Sequence, residues 1–355
     1  MNENGPSEGA GTLEGRAPEL FSRAGIEAIP FGAPQPIDED VYLVRVPLPN
    51  NPLVALNSYF ILGPDTTTIV DVGFNHPDCL RALDDALRAL GRTWEGVRIL
   101  LTHSHPDHCG CVDLAWRAGM PVLANFGSFE ELETLKNAWL GQLRLMLPAV
   151  SVPNLPRREA PLELLHPRVR PAITRIAEGD EVREGNLRLV VRETPGHDSW
   201  HVCLHEPDRR LAIVGDHVLK RITPAVNALD AEHDVLGEFL GSLRAVRDLD
   251  AIVVLPAHGS LYTDLAGRVD ELLAHHAARL DELQGLVEAG HADLVGIASH
   301  AKWRYDDWDA WDPAQKMSSI SETMAHLVHL EKLGRVRIVR TGEGYRFEAV
   351  RRPWK

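Results

Sequence analysis

Apolar residues along the chain follow two different spacings. Three short runs between residues 41 and 73 are rich in β-branched and aromatic residues and are broken by Pro, Asn and Gly, a pattern that predicts β-strands. Between 76 and 90, apolar residues recur at intervals of three and four, which predicts an amphipathic helix. The two patterns alternate further along the chain, so we predict an α/β protein. Further strands are predicted in VRILLT, PVLAN, LRLVVRET, HVCLHE, RLAIVGD and IVVLPAH, and further helices over 232–247 and 265–288.

The ends of the chain and one internal segment depart from this alternation. Residues 1–20 are polar, Gly-rich and acidic, and we expect a disordered leader there. The segment 127–175 contains a Pro- and Arg-rich stretch that is long for a connection in a compact domain, which makes it a candidate lid insertion. After residue 290, a helical stretch that ends at a glycine precedes a predicted hairpin around a GEG turn. We therefore expect a main domain over 21–290 and a small winged-helix-like domain over 291–355.

Composition narrows the class of protein. The chain has 355 residues, 44% of them hydrophobic and 25% charged, which are ordinary values for a soluble globular protein. Its net charge of −14 disfavours nucleic acid as a partner, except through a local basic patch. We find neither a signal-peptide pattern nor an apolar run of about 18 residues, so we expect no membrane association. The 4 cysteines form no CxxC pair, as in proteins with reduced thiols, and we predict a cytoplasmic location.

The sequence THSHPDHCG, which follows the predicted strand VRILLT, concentrates residue types that bind metals. Imidazoles two residues apart on an extended backbone point to the same side, so His103 and His105 can share one metal. Asp107 and His108 continue round the turn and can face a second metal. Catalytic sites of the zinc class combine such N and O ligands at about 2.0–2.2 Å and leave one position for water. The motif therefore predicts a metal site at the carboxyl end of a strand.

THSHPDHCG resembles the HxHxDH signature of the metallo-β-lactamase superfamily, which includes glyoxalase II, lactonases, thioesterases and certain ribonucleases. The other four motifs of that family have counterparts in order along this chain, each at the end of a predicted strand. The resemblance extends over about 41–290 and implies an αββα sandwich, in which two mixed sheets pack face to face with helices outside. The four counterparts are Asp71 in TIVDVG, His197 in ETPGHD, Asp216 in AIVGDH and His258 in VLPAHG.

The resemblance also implies a cofactor and a chemistry. The chain is expected to bind two divalent metal ions, with Zn²⁺ as the expected metal and Fe or Mn as alternatives. Asp216 is expected to bridge the two ions, and Asp71 to support the metal ligands through hydrogen bonds without binding metal itself. Metal binding lowers the pKa of water from about 15.7 toward 7, so a metal-bound hydroxide is the expected nucleophile. Asp107 and Asp216 are the expected catalytic residues. The implied ligands are His103, His105 and His197 for one metal and Asp107, His108 and His258 for the other.

The substrate class can be narrowed by comparing this chain with particular members of the family. Cys109-Gly110-Cys111 stands where glyoxalase-like relatives often have two glycines, and we expect both cysteines to pack as small apolar residues near the metals. Asp216 occupies the place that a Cys takes in antibiotic-hydrolysing members, which argues against a dedicated β-lactamase. We also find no Arg/Lys arrangement of the kind that glyoxalase II uses for glutathione. The predicted function is therefore hydrolysis of an ester, thioester or lactone in a small-molecule acyl substrate.

Two other functions remain open from the sequence. A phosphodiesterase or ribonuclease would use the same metals, and the basic tail after Arg335 resembles the winged-helix end of lactamase-β-like ribonucleases. The net charge of −14 disfavours that function. A non-hydrolytic redox scaffold, as in the flavodiiron proteins, would need a flavodoxin domain and carboxylate-richer ligation, and the sequence has neither.

Aromatic and basic residues outside the motifs are predicted mainly as structural. We expect His275, His276 and Arg279 to be exposed or to cap a long helix. The tryptophans 303, 308 and 311 are predicted as a core between the two domains, with a substrate-groove wall as the alternative. We predict that Phe126, Phe129 and Trp139 pack in the core. The alternative is that they line an apolar pocket beside the metals.

Overall fold

Two β-sheets packed face to face form the centre of the protein, and helices cover the outer face of each sheet. The computed structural model describes residues 13–134, 167–228, 230–304, 307–342 and 344–350. Strands of both sheets carry buried side chains in long runs, so each sheet has to be covered on both faces. The result is the predicted αββα sandwich.

The first sheet has its seven strands side by side in chain order. Neighbouring strands are antiparallel up to the fourth and parallel from the fourth to the seventh. The parallel part brings the carboxyl ends of the fourth and fifth strands to one edge, where Asp71 and the 102–110 motif follow. The strands are β1 (Gln35–Pro36), β2 (Val41–Pro47), β3 (Ala55–Leu62), β4 (Thr67–Val70), β5 (Val97–Leu100), β6 (Val122–Ala124) and β7 (Ile173–Arg175).

The second sheet has five strands, β8 (Glu181–Glu184), β9 (Leu187–Glu193), β10 (Val202–Glu206), β11 (Leu211–Gly215) and β12 (Val253–Pro256). Their spatial order is the reverse of the chain order, from β12 to β8. All neighbours are antiparallel except β11 and β12, which run parallel. This parallel pair ends at one edge of the sheet, where Asp216 and His258 follow.

Helices lie between and after the strands. The patterns over 76–90, 232–247 and 265–288 each correspond to a helix of the structure. The connection between β5 and β6 contains two short helices, the second of which ends at Ala115. Residues 18–21 and 308–310 form short 3-10 turns. The helices are α1 (Leu13–Arg16), α2 (Arg23–Ala28), α3 (Pro77–Ala89), α4 (Pro106–Cys109), α5 (Val112–Ala115), α6 (Val235–Arg247), α7 (Leu265–Glu288), α8 (Leu294–His300) and α9 (Pro313–Lys332).

Three apolar clusters match the layers. One lies between the sheets and includes Leu100 and Leu204. A second packs the outer face of the first sheet against α3 and α5. The third packs the outer face of the second sheet against α6 and α7, and also takes in side chains of α8 and α9. Each sheet is therefore buried on both faces. None of the described helices combines the length and the apolarity needed to cross a membrane.

The C-terminal elements share the third cluster with the main domain. The predicted helix and hairpin are present as α9 and the two strands β13 (Val336–Thr341) and β14 (Gly344–Ala349), which pair antiparallel. Phe347 of the hairpin is buried, and its backbone N–H donates to the carbonyl of Ala292 at 2.9 Å. The segment after residue 290 is thus packed onto α7, and its description as a winged-helix-like domain stays a prediction.

Two predicted irregular segments lie partly outside the described residues. Of the leader 1–20, residues 13–20 are described, and they form α1 and most of a 3-10 turn rather than a disordered chain. The reason is Leu20, which is 1% exposed and packs between the sheets. Of the candidate lid 127–175, residues 135–166, including Trp139, lie outside the described residues, so the lid stays a prediction.

Phe126 and Phe129 pack as core residues, as predicted, whereas the three tryptophans are only partly buried and their role between two domains stays a prediction. Phe126 and Phe129 are buried in the second cluster with ring centroids 5.3 Å apart. Trp303 and Trp308 pack at the margin of the third cluster, and the ring of Trp311 contacts both.

The predicted exposure of the histidine pair on α7 is wrong for one of its members. His276 is 0% exposed, and its Nδ1 lies 3.1 Å from Nε2 of His326 on α9. Arg279 is also buried, and its guanidinium lies 4.5 Å from the ring centroid of Trp303. These side chains are buried because α9 and the segment before it cover the side of α7 that the sequence alone leaves without a partner.

Replacing Leu20 tests whether the start of the chain is part of the core. We expect Leu20→Ala to lower the free energy of unfolding by about 2–5 kcal/mol, because it leaves a cavity between the sheets. Urea denaturation followed by circular dichroism measures the change. Glu19→Ala, at the exposed neighbouring position, is the control and should change stability by less than about 0.5 kcal/mol. Equal effects of the two substitutions would contradict the packing described for Leu20.

The His276–His326 pair predicts a loss of stability in mild acid. Burial and the neighbouring charges lower the pKa of His276 to about 2, and burial lowers the pKa of His326 to about 4, from 6.5. Between pH 6.5 and these values the folded protein binds fewer protons than the unfolded chain, so stability falls as the pH falls through 6.5.

We therefore expect His326→Gln to lose less unfolding free energy than the wild type between about pH 7 and pH 5, by on the order of 2 kcal/mol. Urea denaturation at each pH gives the difference. Thr323→Val, a buried substitution on the same helix that removes no titratable group, should leave the pH dependence unchanged. If His326→Gln retains the full dependence on pH, the imidazole is not buried in its neutral form.

Candidate metal centre

Seven imidazole and carboxylate side chains from the predicted motifs meet at the edge where the two sheets end. They come from the loop after β5, the loop before β10 and the residues that follow β11 and β12. The potential ligand atoms within each of two groups lie within 4.8 Å of one another. The first group is His103, His105, His197 and Asp216, and the second is Asp107, His108 and His258.

The first loop turns from strand to helix within the motif. His105 is the N-cap residue of α4 and has an extended backbone, so Asp107 and His108 lie in the first helical turn. Nε2 of His103 lies 3.1 Å from Nδ1 of His105, as expected for imidazoles two residues apart. Burial and the neighbouring imidazoles hold the pKa of His103 well below its usual value. His103 is therefore neutral, which is the form that binds metals.

Asp71 holds this loop in place through hydrogen bonds. One carboxylate oxygen accepts a hydrogen bond from the backbone N–H of Thr102 at 2.8 Å, and the other accepts from the Thr102 hydroxyl at 2.7 Å and from Nδ1 of His108 at 2.8 Å. Asp71 has a φ of 59°, a left-handed conformation that is costly for a residue other than glycine. The three hydrogen bonds offset this cost and turn Nε2 of His108 toward the other candidate ligands.

Backbone carbonyls orient two further imidazoles. Nδ1 of His197 donates to the carbonyl of Ala225 at 2.7 Å, and Nδ1 of His258 donates to the carbonyl of Ala55 at 2.8 Å. Because a carbonyl only accepts, each Nδ1 carries the proton, and each Nε2 presents a lone pair to the centre.

The inward atoms of the centre have unmet bonding capacity. Nε2 of His108, His197 and His258 and Oδ1 of Asp216 are buried without a hydrogen-bond partner among the described residues. Leaving such atoms unpaired is costly, and native proteins rarely do so. Imidazole nitrogens and carboxylate oxygens are ligands of zinc and related divalent metals. The residues present therefore fit a divalent metal site.

Asp216 lies between the two groups. Its carboxylate oxygens are 3.6 Å from Nε2 of His197, 3.6 Å from Nε2 of His108 and 3.4 Å from Nε2 of His258. Burial raises the pKa of Asp216, but the imidazoles of His258 and His108 outweigh burial and hold the pKa well below its usual value. The carboxylate is therefore ionised and touches both halves of the centre.

A further histidine that sequence reasoning missed supports Asp216. His201 is buried, its Nδ1 lies 2.7 Å from the Thr194 hydroxyl, and its Nε2 accepts the backbone N–H of Asp216 at 3.1 Å. Gly215 has a φ of 48°, and a Cβ there would lie 2.6 Å from Nε2 of His201, so only glycine allows this approach. The available signal was the second histidine of ETPGHDSWH, four residues after His197.

The loops before β10 and after β5 are joined to each other. The hydroxyl of Ser104 donates a short hydrogen bond to Asp198, the residue after His197. Cys109 and Cys111 are fully buried in the second apolar cluster, as predicted, and burial raises the pKa of both thiols. Neither cysteine belongs to a candidate metal group in the part of the chain that the structure describes.

Comparison with known proteins identifies the family. The family model of the metallo-beta-lactamase superfamily matches residues 52–258, more than half of the chain. The chain therefore belongs to the metallo-β-lactamase superfamily, and it is a metal-dependent hydrolase.

Two solved structures are similar to most of this chain: a metallo-beta-lactamase family protein of Thermus thermophilus and a beta-lactamase domain protein of Burkholderia ambifaria. The first is 27% identical with a TM-score of 0.72, over 89% of this chain and 100% of that one. The second is 26% identical with a TM-score of 0.77, over 93% and 97%.

Three curated relatives indicate the range of the family. The probable metallo-hydrolase YqjP of Bacillus subtilis is 26% identical over 82% of this chain and 92% of its own length. The atrochrysone carboxyl ACP thioesterase of Aspergillus fumigatus is 25% identical over 66% of this chain and 45% of its own length. A hydroxyacylglutathione hydrolase of Cereibacter sphaeroides is 32% identical over 44% of this chain and 45% of its own length. The last two relatives are thus matched over less than half of their length.

Replacement of Asp71 tests the support behind the centre. In Asp71→Asn, an amide nitrogen replaces one of the oxygens that accept from Thr102 and His108, and a donor cannot take that place. We expect the affinity for Zn²⁺ to fall about 10–100-fold, the range for residues that orient metal-binding histidines. Competition with a chromophoric chelator measures the affinity. Asp84→Asn makes the same substitution on α3, where the side chain accepts from Trp94 away from the centre, and it should bind Zn²⁺ like the wild type. Unchanged affinity in Asp71→Asn would rule out this role.

Proposed function

We propose that the protein is a dinuclear metal hydrolase that cleaves a thioester, ester or lactone of a small acyl substrate. The observation that carries the proposal is the pair of adjoining groups of candidate ligands. Four of their inward atoms, on His108, His197, His258 and Asp216, lack hydrogen-bond partners within the described part of the chain. A pair of divalent cations satisfies these atoms, and Zn²⁺ suits the set of nitrogen and oxygen ligands, with Fe or Mn as alternatives. His103, His105 and His197 would hold one cation, Asp107, His108 and His258 the other, and Asp216 would be shared.

Two divalent cations held by these residues would polarise the carbonyl of the substrate and would lower the pKa of water from about 15.7 toward 7. The protein supplies the proton acceptor. Burial raises the pKa of Asp107, but the imidazoles of His108 and His258 outweigh it and bring the pKa to about 2. Asp107 is therefore ionised at neutral pH, and its side chain is still 14% exposed. Its carboxylate can accept the proton that water releases on attacking the carbonyl, and can return it to the leaving thiolate or alkoxide.

Charge balance at the centre also comes from the chain. The carboxylates of Asp107 and Asp216 are both ionised and offset part of the charge of two cations. Burial lowers the pKa of His197 to about 4, so its imidazole is neutral and free to act as a ligand. The site is thus prepared for metal before any substrate arrives.

The acyl class of substrate is supported by three observations. The thioesterase and hydroxyacylglutathione hydrolase relatives act on acyl groups according to their names. The positive charge of the basic tail would favour binding of a phosphodiester substrate. Part of that charge is neutralised, because Arg335 pairs with Asp281 and Arg337 pairs with Glu348. The net charge of −14 also disfavours the broad positive surface that RNA binding needs.

A substrate panel tests the proposed class. We expect the Zn²⁺-loaded protein to hydrolyse aryl thioesters and lactones and to leave bis(p-nitrophenyl) phosphate intact, because the net charge of −14 disfavours an anionic phosphodiester. Release of thiol, acid and nitrophenolate is followed spectrophotometrically. Faster cleavage of the phosphodiester than of every acyl substrate would overturn the acyl assignment.

Replacement of Asp216 tests the shared carboxylate. Asp216→Ala should lower acyl hydrolysis by about a thousandfold or more and reduce the Zn²⁺ content below two ions per chain, because both groups lose a ligand. Metal content is measured by plasma mass spectrometry. Asp208→Ala, at a position whose side chain is 73% exposed, is the control and should retain both activity and metal. Two bound ions and full activity in Asp216→Ala would show that this carboxylate is not shared.

A further inference from the structure

The carbonyl that orients His197 belongs to a segment of irregular conformation. Residues 224–228, PAVNA, lie between β11 and α6 and reach the first ligand group at Ala225. The carbonyl of Ala225 accepts from Nδ1 of His197 at 2.7 Å. This hydrogen bond sets the tautomer of His197 and the direction of its Nε2 lone pair. The position of the 224–228 segment therefore decides where the lone pair points.

The far end of the 224–228 segment is tied to the C-terminal helix. The backbone N–H of Ala228 donates to the carbonyl of Ser321 at 3.2 Å, and the hydroxyl of Ser321 donates to the carbonyl of Ala228 at 2.8 Å. Both residues are buried, with Ser321 at 2% exposure. Two reciprocal hydrogen bonds between buried groups fix one residue against the other more firmly than packing alone.

Packing keeps the segment from adjusting independently. Val226 and Ala228 are 0% exposed and belong to the third apolar cluster, together with Ile320 and Met324 of α9. Only two residues separate Ala228 from Ala225, so a shift of one end is transmitted to the other. Close-packed interiors transmit such displacements rather than absorb them.

We propose that Ser321 is a positioning residue for the metal centre, and that α9 thereby forms part of the site. Ser321 holds the 224–228 segment in the place where the carbonyl of Ala225 orients His197. The inference rests on the proposed role of His197 as a ligand. It gives the C-terminal segment a function, namely setting the affinity of the first ligand group for its cation.

Three substitutions on α9 separate positioning from general stability. Ser321→Ala removes the hydroxyl that holds Ala228, and Ser321→Thr retains a hydroxyl. Thr323→Val is the matched control, because Thr323 is 1% exposed on the same helix and its hydroxyl donates to the carbonyl of Ser319, not to the 224–228 segment.

We expect Ser321→Ala to weaken the binding of one of the two Zn²⁺ ions by about tenfold, at the low end of effects of groups that orient metal ligands. The second ion should bind as in the wild type. Ser321→Thr should restore most of the affinity, and Thr323→Val should bind both ions normally. Competition with a chromophoric chelator gives both affinities, and the absorption spectrum of the Co²⁺-substituted protein should change in Ser321→Ala alone. Thermal unfolding of the metal-free proteins shows whether each variant folds.

His197→Ala distinguishes failure of this inference from failure of the proposed function. If His197→Ala binds two Zn²⁺ ions with wild-type affinity, the assignment of His197 as a ligand fails. If His197→Ala loses one ion while Ser321→Ala retains both at full affinity, the positioning role alone is overturned. Equal weakening in Thr323→Val and Ser321→Ala would also overturn it. Should Ser321→Ala not fold, Ser321→Cys keeps a weaker donor and should give an intermediate affinity.

Discussion

Buried imidazole and carboxylate atoms that face one another without hydrogen-bond partners among the described residues are the constraint on which the architecture around them depends. The inward nitrogens of His108, His197 and His258 surround the carboxylate of Asp216 out of contact with water, and no hydrogen bond within the described chain satisfies them. Side chains left free would rotate to find protein partners. The fold prevents this by bonding the opposite nitrogen of each ring to Asp71 or to a backbone carbonyl. Much of the architecture around the centre serves to hold these outer bonds in place.

The arrangement of the strand ends in the two sheets holds these residues close together. Parallel pairing of β4 with β5 and of β11 with β12 brings four chain segments to one edge with their carboxyl ends together. The antiparallel strands then connect this edge to the rest of the core. Because the strands are buried on both faces, their ends cannot shift without disturbing the apolar clusters. The rigidity of the centre is therefore a property of the sheets.

Sequence reasoning succeeded where residue type is restricted by chemistry. The family's ordered motifs placed His103, His197, Asp216 and His258 in one site, and the structure brings them into two adjoining groups. Their role as metal ligands is a proposal. Long periodic segments such as α7 were also predicted to within a residue. The sequence does not reveal positions at which the backbone, not the side chain, makes the important contact. A backbone carbonyl carries no signal in the sequence, so the anchors at Ala55 and Ala225 could not be predicted. His276 and Leu20 were misjudged because their burial depends on elements distant in the chain.

The hydrogen bond between His258 and Ala55 joins residues 203 positions apart. A ribosome makes the histidine-rich loop early, and the strand end that carries His258 much later. Until that later part has emerged, the carbonyl of Ala55 has no imidazole to hold and the second ligand group is incomplete. The candidate metal centre can therefore be completed only after the chain has been made as far as His258.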